Sequence, residues 1–275
     1  MHMSFTGGIR VNDTTLWVED SGGNGRPVVL CLHSLFLDRR MFHDFRERAG
    51  RRFRTILVDF RGQGKSAPAS SALVDMDSNA SDILKLLDEL GVKRTNVLAQ
   101  SMGGDVAIRM FARRPELFTS LVLAGSSARN EPADQLQSFR EWVNSACTGG
   151  FVGETLDFTM KIMFGETTRN NPAKAEMLAL WRTRISELPL SLHPAMSGVI
   201  ERTDARPYLP LVKSPVLVIS GEEDMPRPPA WAKEVVDGLP NAELLYLERI
   251  GHSPTLEAPE EVMPRILEFF DRHSG

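Results

Sequence analysis

Short apolar runs and longer amphipathic segments alternate along most of the chain. Residues 9–20, I-R-V-N-D-T-T-L-W-V-E-D, read as two strands joined by an Asn-Asp turn. V-V-L-C-L (28–32), R-T-I-L-V-D-F (54–60), T-N-V-L-A (95–99), S-L-V-L-A-G (120–125), P-V-L-V-I-S (215–220) and A-E-L-L-Y-L (242–247) follow. Most of these later runs are continuously apolar, the pattern of parallel strands covered on both faces. Between them, S-D-I-L-K-L-L-D-E-L-G (81–91) repeats apolar residues at three- and four-residue spacing and stops at Gly91, a helix with a C-terminal glycine. Residues 259–272 predict a closing helix with proline at its start. Strands alternating with helices predict a parallel sheet with crossover helices.

The rhythm breaks between residues 129 and 208, where no strand-like run occurs. Helical patterns there carry bulky residues such as Trp142, Phe151, Phe158, Met163, Trp181 and Met196. An insertion of this size between two sheet strands is expected to pack as a helical cap over one edge of the sheet. The expected division is a core of residues 1–128 and 210–275 and a cap of residues 129–209. Most of the bulky side chains should hold the cap together, and some should face a cavity beneath it.

Composition narrows the classes of function. The 275 residues exceed a typical single core of ~100–150 but suit one α/β domain with an insertion. With 42% hydrophobic and 25% charged residues, the chain is an ordinary globular protein. A formal net charge of −4 with scattered basic residues gives no case for a nucleic-acid partner. Arg51, Arg52 and Arg54 read as a solvated strand entry. The two cysteines, Cys31 and Cys147, make no disulfide framework, and Cys31 reads as a small buried thiol. No basic head precedes an apolar stretch at the N-terminus, and no apolar run approaches the ~20 residues that span a bilayer. A cytoplasmic protein without a membrane partner is expected. Whether it is a monomer or a homodimer has no sequence signal.

Candidate chemistry starts at N-V-L-A-Q-S-M-G-G-D-V-A (96–107), where an apolar run ends and a helical pattern begins with Ser101 between them. A residue strained at such a corner brings its neighbours at −2 and +2 close, and Ala99 and Gly103 are small. The hydroxyl is then lifted clear of the sheet, beside the first N–H of a helix. The competing reading is a serine that only caps the helix beginning at Met102.

A serine hydroxyl attacks well only when a base takes its proton. Of six histidines, His252 has the setting for this, in Y-L-E-R-I-G-H-S-P after the last strand and before the last helix. His2 and His273 fall in expected frayed ends, His43 and His193 in helical or cap contexts, and His33 reads as a loop-bracing group. The base needs a carboxylate to fix its tautomer. G-E-E-D-M-P (221–226) offers Glu222, Glu223 and Asp224 just past a strand; Asp224 is favoured, with Glu223 in reserve. The order Ser101, Asp224, His252 suits this kind of corner. Oxyanion donors are expected from the N–H of Met102 and, in L-H-S-L-F (32–36), from that of Leu35. G-Q-G-K-S (62–66) imitates a phosphate loop, but Asp59 stands where its first glycine is required. With no H-E-x-x-H and no dense His/Cys set, no metal or other cofactor is expected.

Taken together and in order, L-H-S-L, D-F-R-G-Q-G-K-S (59–66), A-Q-S-M-G-G, G-E-E-D and G-H-S-P resemble the α/β-hydrolase family, over nearly the whole chain. The resemblance implies an α/β fold with an eight-stranded, mostly parallel sheet, helices on both faces and a helical cap inserted after strand six. It also implies a Ser-His-acid site. Two positions depart from the family. Ser34 replaces the usual oxyanion-loop glycine, which either narrows the loop or lends the Ser34 hydroxyl to binding, and Ala99 replaces the first glycine of the elbow. Ser34-Leu35 with Asp38, Met41 and Phe42 is similar to the branch that opens 3-oxoadipate enol-lactone. The leading expectation is a serine hydrolase acting on a small, largely apolar carboxylic ester or lactone. Hydrolysis of a C–C bond, perhydrolysis and a catalytically slow ligand receptor remain open, because each could use the same corner. Arg39 and Arg40 read as a solvated helix start, with a role toward an acidic substrate as the alternative.

Overall fold

A computed structural model describes residues 3–23 and 25–274, so His2 lies outside the described residues. Eight strands form one sheet: β1 (Phe5–Val11), β2 (Thr14–Asp20), β3 (Val28–Leu32), β4 (Arg54–Val58), β5 (Thr95–Gln100), β6 (Phe118–Ala124), β7 (Val216–Gly221) and β8 (Ala242–Leu247). Their spatial order is β1-β2-β4-β3-β5-β6-β7-β8. The β1–β2 and β2–β4 pairs are antiparallel, and from β4 to β8 every pair is parallel. The chain lays β4 on one side of β3 and β5 on the other, so the connections leaving β3 and β5 diverge. The crevice at such a switch point, outside the carboxyl ends of the strands, is where open α/β sheets place ligands. Residues 33–36 leave β3 there, and Ser101 leaves β5.

The helices are α1 (His43–Ala49), α2 (Met76–Glu89), α3 (Met102–Arg113), α4 (Leu136–Gly149), α5 (Gly153–Met163), α6 (Glu166–Arg169), α7 (Ala175–Ser186), α8 (His193–Ile200), α9 (Pro229–Gly238), α10 (Pro254–Glu257) and α11 (Pro259–His273). Helices cover both faces of the sheet, and β3 to β7 are buried almost throughout. On one face α1 and α11 meet through Phe45 and Phe270, whose rings lie 6.1 Å apart. Only helices, α4 to α8, lie between β6 and β7 among the described residues.

Several local expectations need correction. The helix expected from Ser81 starts at Met76, because the Asp75 side chain accepts the Ser78 N–H at 2.6 Å and caps an earlier turn. Strand β8 is apolar in sequence yet largely exposed, since it is a sheet edge. His273 is not frayed: it closes α11 with its ring 4.7 Å from that of Phe269. Arg54 is not solvated but buried, donating to Asp20 at 2.6 Å. Arg39 is likewise buried, bound to Glu19 at 2.6 Å and Asp59 at 2.7 Å, and so is not a solvated helix start. Asp59 also accepts the Lys65 N–H at 2.8 Å, which makes the 59–66 segment a self-braced loop.

Candidate active site

Ser101 sits between β5 and α3 with φ 51° and ψ −114°, a region that costs an L-residue strain energy and persists only where the surroundings impose it. Three backbone bonds impose it here. The Ser101 N–H donates to Ala124 O at 3.0 Å, and Ser101 O accepts from Gly104 N at 2.8 Å and Asp105 N at 3.2 Å. The side chain makes no capping bond to α3, so capping is not what this hydroxyl does. Gly103 is required by a different neighbour from the one expected. A Cβ there would lie 2.2 Å from Leu32 O at the end of β3, and one at Gly104 would lie 2.2 Å from Ser126 Oγ. The small residues therefore let α3 approach the sheet, and that approach holds the corner.

His252 and Asp224 come together from loops that follow β8 and β7. His252 Nδ1 lies 2.9 Å from Asp224 Oδ1, which also accepts the Arg227 N–H at 2.9 Å. Both side chains are almost wholly buried. The other two acids of the G-E-E-D segment are engaged elsewhere. Glu222 accepts the Arg249 N–H at 2.8 Å, and Glu223 accepts the Thr167 N–H at 2.8 Å. Gly125, after β6, was missed as a site residue. At φ 51° it passes under the pair, where a Cβ would stand 3.1 Å from Asp224 Oδ2 and 2.7 Å from His252 O.

The loop after β3 folds back through a turn in which Ser34 O accepts the Leu37 N–H at 3.3 Å and Phe36 adopts φ 67°. His33 braces it: Phe60 N–H donates to Nε2 at 3.1 Å, which leaves Nδ1 to donate to Ser34 O at 2.7 Å. Burial pushes the His33 pKa down, in keeping with a neutral ring. Ser34 avoids positive φ, so its Cβ needs no glycine conformation, and its Oγ is buried without a partner among the described residues. Among the described residues the N–H groups of Leu35 and Met102 donate to no other backbone group. Unpaired buried donors are uncommon, and they mark a place where an acceptor would be stabilised.

Ser101, His252, Ser34 and Leu35 share a cavity of about 340 Å³ with residues of the helical insertion. Its wall is mainly apolar. Phe36 packs edge-on against Trp142 at 5.4 Å, and Trp142 against Phe158 at 5.6 Å. Phe158 and Met225 line the cavity and are also exposed, which places them at its mouth. Two charged residues were not expected in this wall: Glu131 at the start of the insertion and Arg227, joined at 3.0 Å. Nothing in their spacing of 96 residues signals the pairing. Among the described residues no cluster of three or more His, Cys, Asp or Glu could hold a metal ion, and no helix is long and apolar enough to cross a membrane.

Residues 27–259 match the family model for the alpha/beta hydrolase fold, and the chain belongs to that family. It is 29% identical over 250 residues to a pimeloyl-[acyl-carrier protein] methyl ester esterase of Nitrosomonas europaea, spanning 88% of this chain and 94% of the relative. A thermophilic esterase from Thermogutta terrifontis superposes with a TM-score of 0.85 at 28% identity, over 100% of both chains. The enol-lactonase from Burkholderia xenovorans LB400 superposes with a TM-score of 0.87 over 96% of this chain and 99% of that one; at 23% identity it supports the fold alone. The chain is thus an α/β-fold hydrolase with esterase and lactonase neighbours.

Proposed function

We propose that this protein is a serine hydrolase that cleaves a small, largely apolar carboxylic ester or lactone through an acyl-enzyme on Ser101. The observation that carries this reading is one cavity with apolar walls that holds both a strained Ser101 and a His252 whose far nitrogen is bonded to Asp224. Asp224 holds the imidazole with Nδ1 protonated, which leaves Nε2 as the base. Ser101 attacks the carbonyl as His252 takes its proton, and the N–H groups of Leu35 and Met102 receive the oxyanion. His252 then protonates the leaving alcohol, and water repeats the sequence on the acyl-enzyme. Residues 129–209 act as the cap that closes the cavity over a core of residues 1–128 and 210–275. The esterase relatives support an ester as substrate.

The test is hydrolysis of a matched panel of open-chain esters and lactones, with Ser101→Ala as the blank. Faster lactone turnover would favour a ring-opening enzyme, and faster ester turnover a general esterase. If no ester or lactone turns over above the blank, the reading fails.

A further inference from the structure

Two acidic side chains outside the proposed triad grip the backbone on either side of it. Glu257, in α10, is buried, and its carboxylate accepts three main-chain hydrogen bonds. Oε1 accepts from Ser253 N at 2.8 Å, and Oε2 accepts from Gly251 N at 3.0 Å and from Gly165 N at 2.9 Å. Gly251 and Ser253 flank His252, so one carboxylate ties the residues on both sides of the imidazole. Gly165 belongs to the helical insertion, between α5 and α6. There the two segments touch backbone to backbone, and a Cβ on Gly251 would lie 2.1 Å from Gly165 N. Two residues further on, Thr167 donates through N at 2.8 Å and Oγ1 at 2.5 Å to Glu223, the neighbour of Asp224. One short segment of the insertion thus rests on both the base loop and the acid loop.

A buried carboxylate is costly unless its lone pairs are used, and hydrogen bonds to an ionised acceptor are the strong ones. Burial pushes the Glu257 pKa above its ordinary value, while Thr168 and the three N–H donors pull it back. A carboxylate can serve all three donors at once; an amide in its place would turn an NH₂ toward at least one of them. Resting on the proposed function, we propose that Glu257 is a positioning residue. It sets the imidazole of His252 and registers the insertion against it, so that seating of residues 165–167 and competence of the base are one event.

Glu257→Gln tests this with two readouts that a merely structural role would leave unmoved. The first is kcat on the preferred ester, per reactive serine counted with a fluorophosphonate. It should fall by about 10- to 100-fold, as expected of a misplaced catalytic group, with KM changed far less. The second is the downfield proton resonance of the His252 Nδ1–H bond to Asp224, which should shift or broaden and needs no substrate. Glu257→Asp, which keeps the charge, should recover part of both. Wild-type kcat and an unmoved resonance in Glu257→Gln overturn the inference, even if the melting temperature drops. If that variant does not fold, Gly165→Ala takes its place. Its Cβ would stand 2.6 Å from Glu223 Oε2 and 2.8 Å from Gly251 N, so the same two changes are expected and their absence is equally fatal. A wild-type protein inert to the fluorophosphonate and to every ester would remove the proposed function instead, and the resonance would still decide the role of Glu257.

Discussion

Ser101 is held in its strained conformation by its neighbours, so removing the hydroxyl should leave the corner in place. Ser101→Ala should remain folded and lose up to ~10⁶-fold in kcat, read on the best ester of the panel. The three acids after β7 separate by the same logic. Asp224→Asn should cost about 10⁴-fold, because the amide favours the wrong imidazole tautomer. Glu222→Gln should hydrolyse at close to the parent rate, since that carboxylate holds Arg249 N. A Glu222→Gln variant as damaged as Asp224→Asn would contradict the assignment of the acid. Sequence spacing narrowed the choice to these residues and favoured Asp224, with Glu223 left in reserve. A strand-ending loop brings all three acids near the site, and only side-chain direction decides which one meets the imidazole. Arg39 and Arg54 were misread for a related reason: their partners Glu19, Asp59 and Asp20 lie 20 to 34 positions away and become neighbours only across the sheet.

Among the elements, α3 carries the site because it lies unusually close to β3. Gly103→Ala would force a methyl to within 2.2 Å of Leu32 O, a backbone atom that cannot swing aside. The variant should lose about 1–3 kcal/mol or more, seen as a lower urea midpoint, and should lose activity further as Ser101 shifts. An unchanged midpoint would mean that the helix has room to move. The strands were legible from their apolar runs because burial on both faces leaves little choice of residue. Strand β8 shares the apolar run but not the burial, since its place at the sheet edge is a matter of topology. The early start of α2 was hidden because one side-chain cap at Asp75 outweighs a weak periodicity.

At the scale of the whole molecule, the helical insertion is joined to the sheet by a buried charged cluster. Arg202, at the end of the insertion, donates to Glu131 and to the carbonyls of Arg129 at 2.9 Å and Val199 at 2.9 Å. Arg227 reaches Glu131 at 3.0 Å, and Asp105 on α3 lies 3.6 Å from Arg202. Breaking a buried network leaves an uncompensated charge, so Arg202→Met should cost about 3–5 kcal/mol in denaturant unfolding. Burial pushes the Glu131 carboxyl up, but the Arg227 and Arg202 guanidiniums outweigh it and hold it below its ordinary 4.5. A depressed carboxyl contributes stability that is present above 4.5 and is lost as pH falls through the folded value. Burial raises the Asp105 carboxyl, which contributes with the opposite sign, so the informative comparison is Glu131→Gln against the parent. The variant should show a shallower loss of melting temperature below that pH, and identical acid limbs would sink the assignment.

The alternation of apolar runs with helical periods determined the sheet, its parallel core and the helical insertion, because burial and periodicity are local demands on residue type. The small residues around Ser101, and the loops after strands that carry a histidine and acids, were equally readable, since a tight corner admits only small neighbours and a strand-ending loop leaves its polar residues visible in the sequence. Only the tertiary structure decided that Asp224 rather than Glu223 meets His252, that Gly103 serves the approach of α3 to β3, and that Glu257 reaches from α10 to the insertion. Each of these depends on which atoms meet after distant segments have packed, and no single segment of the chain carries that information.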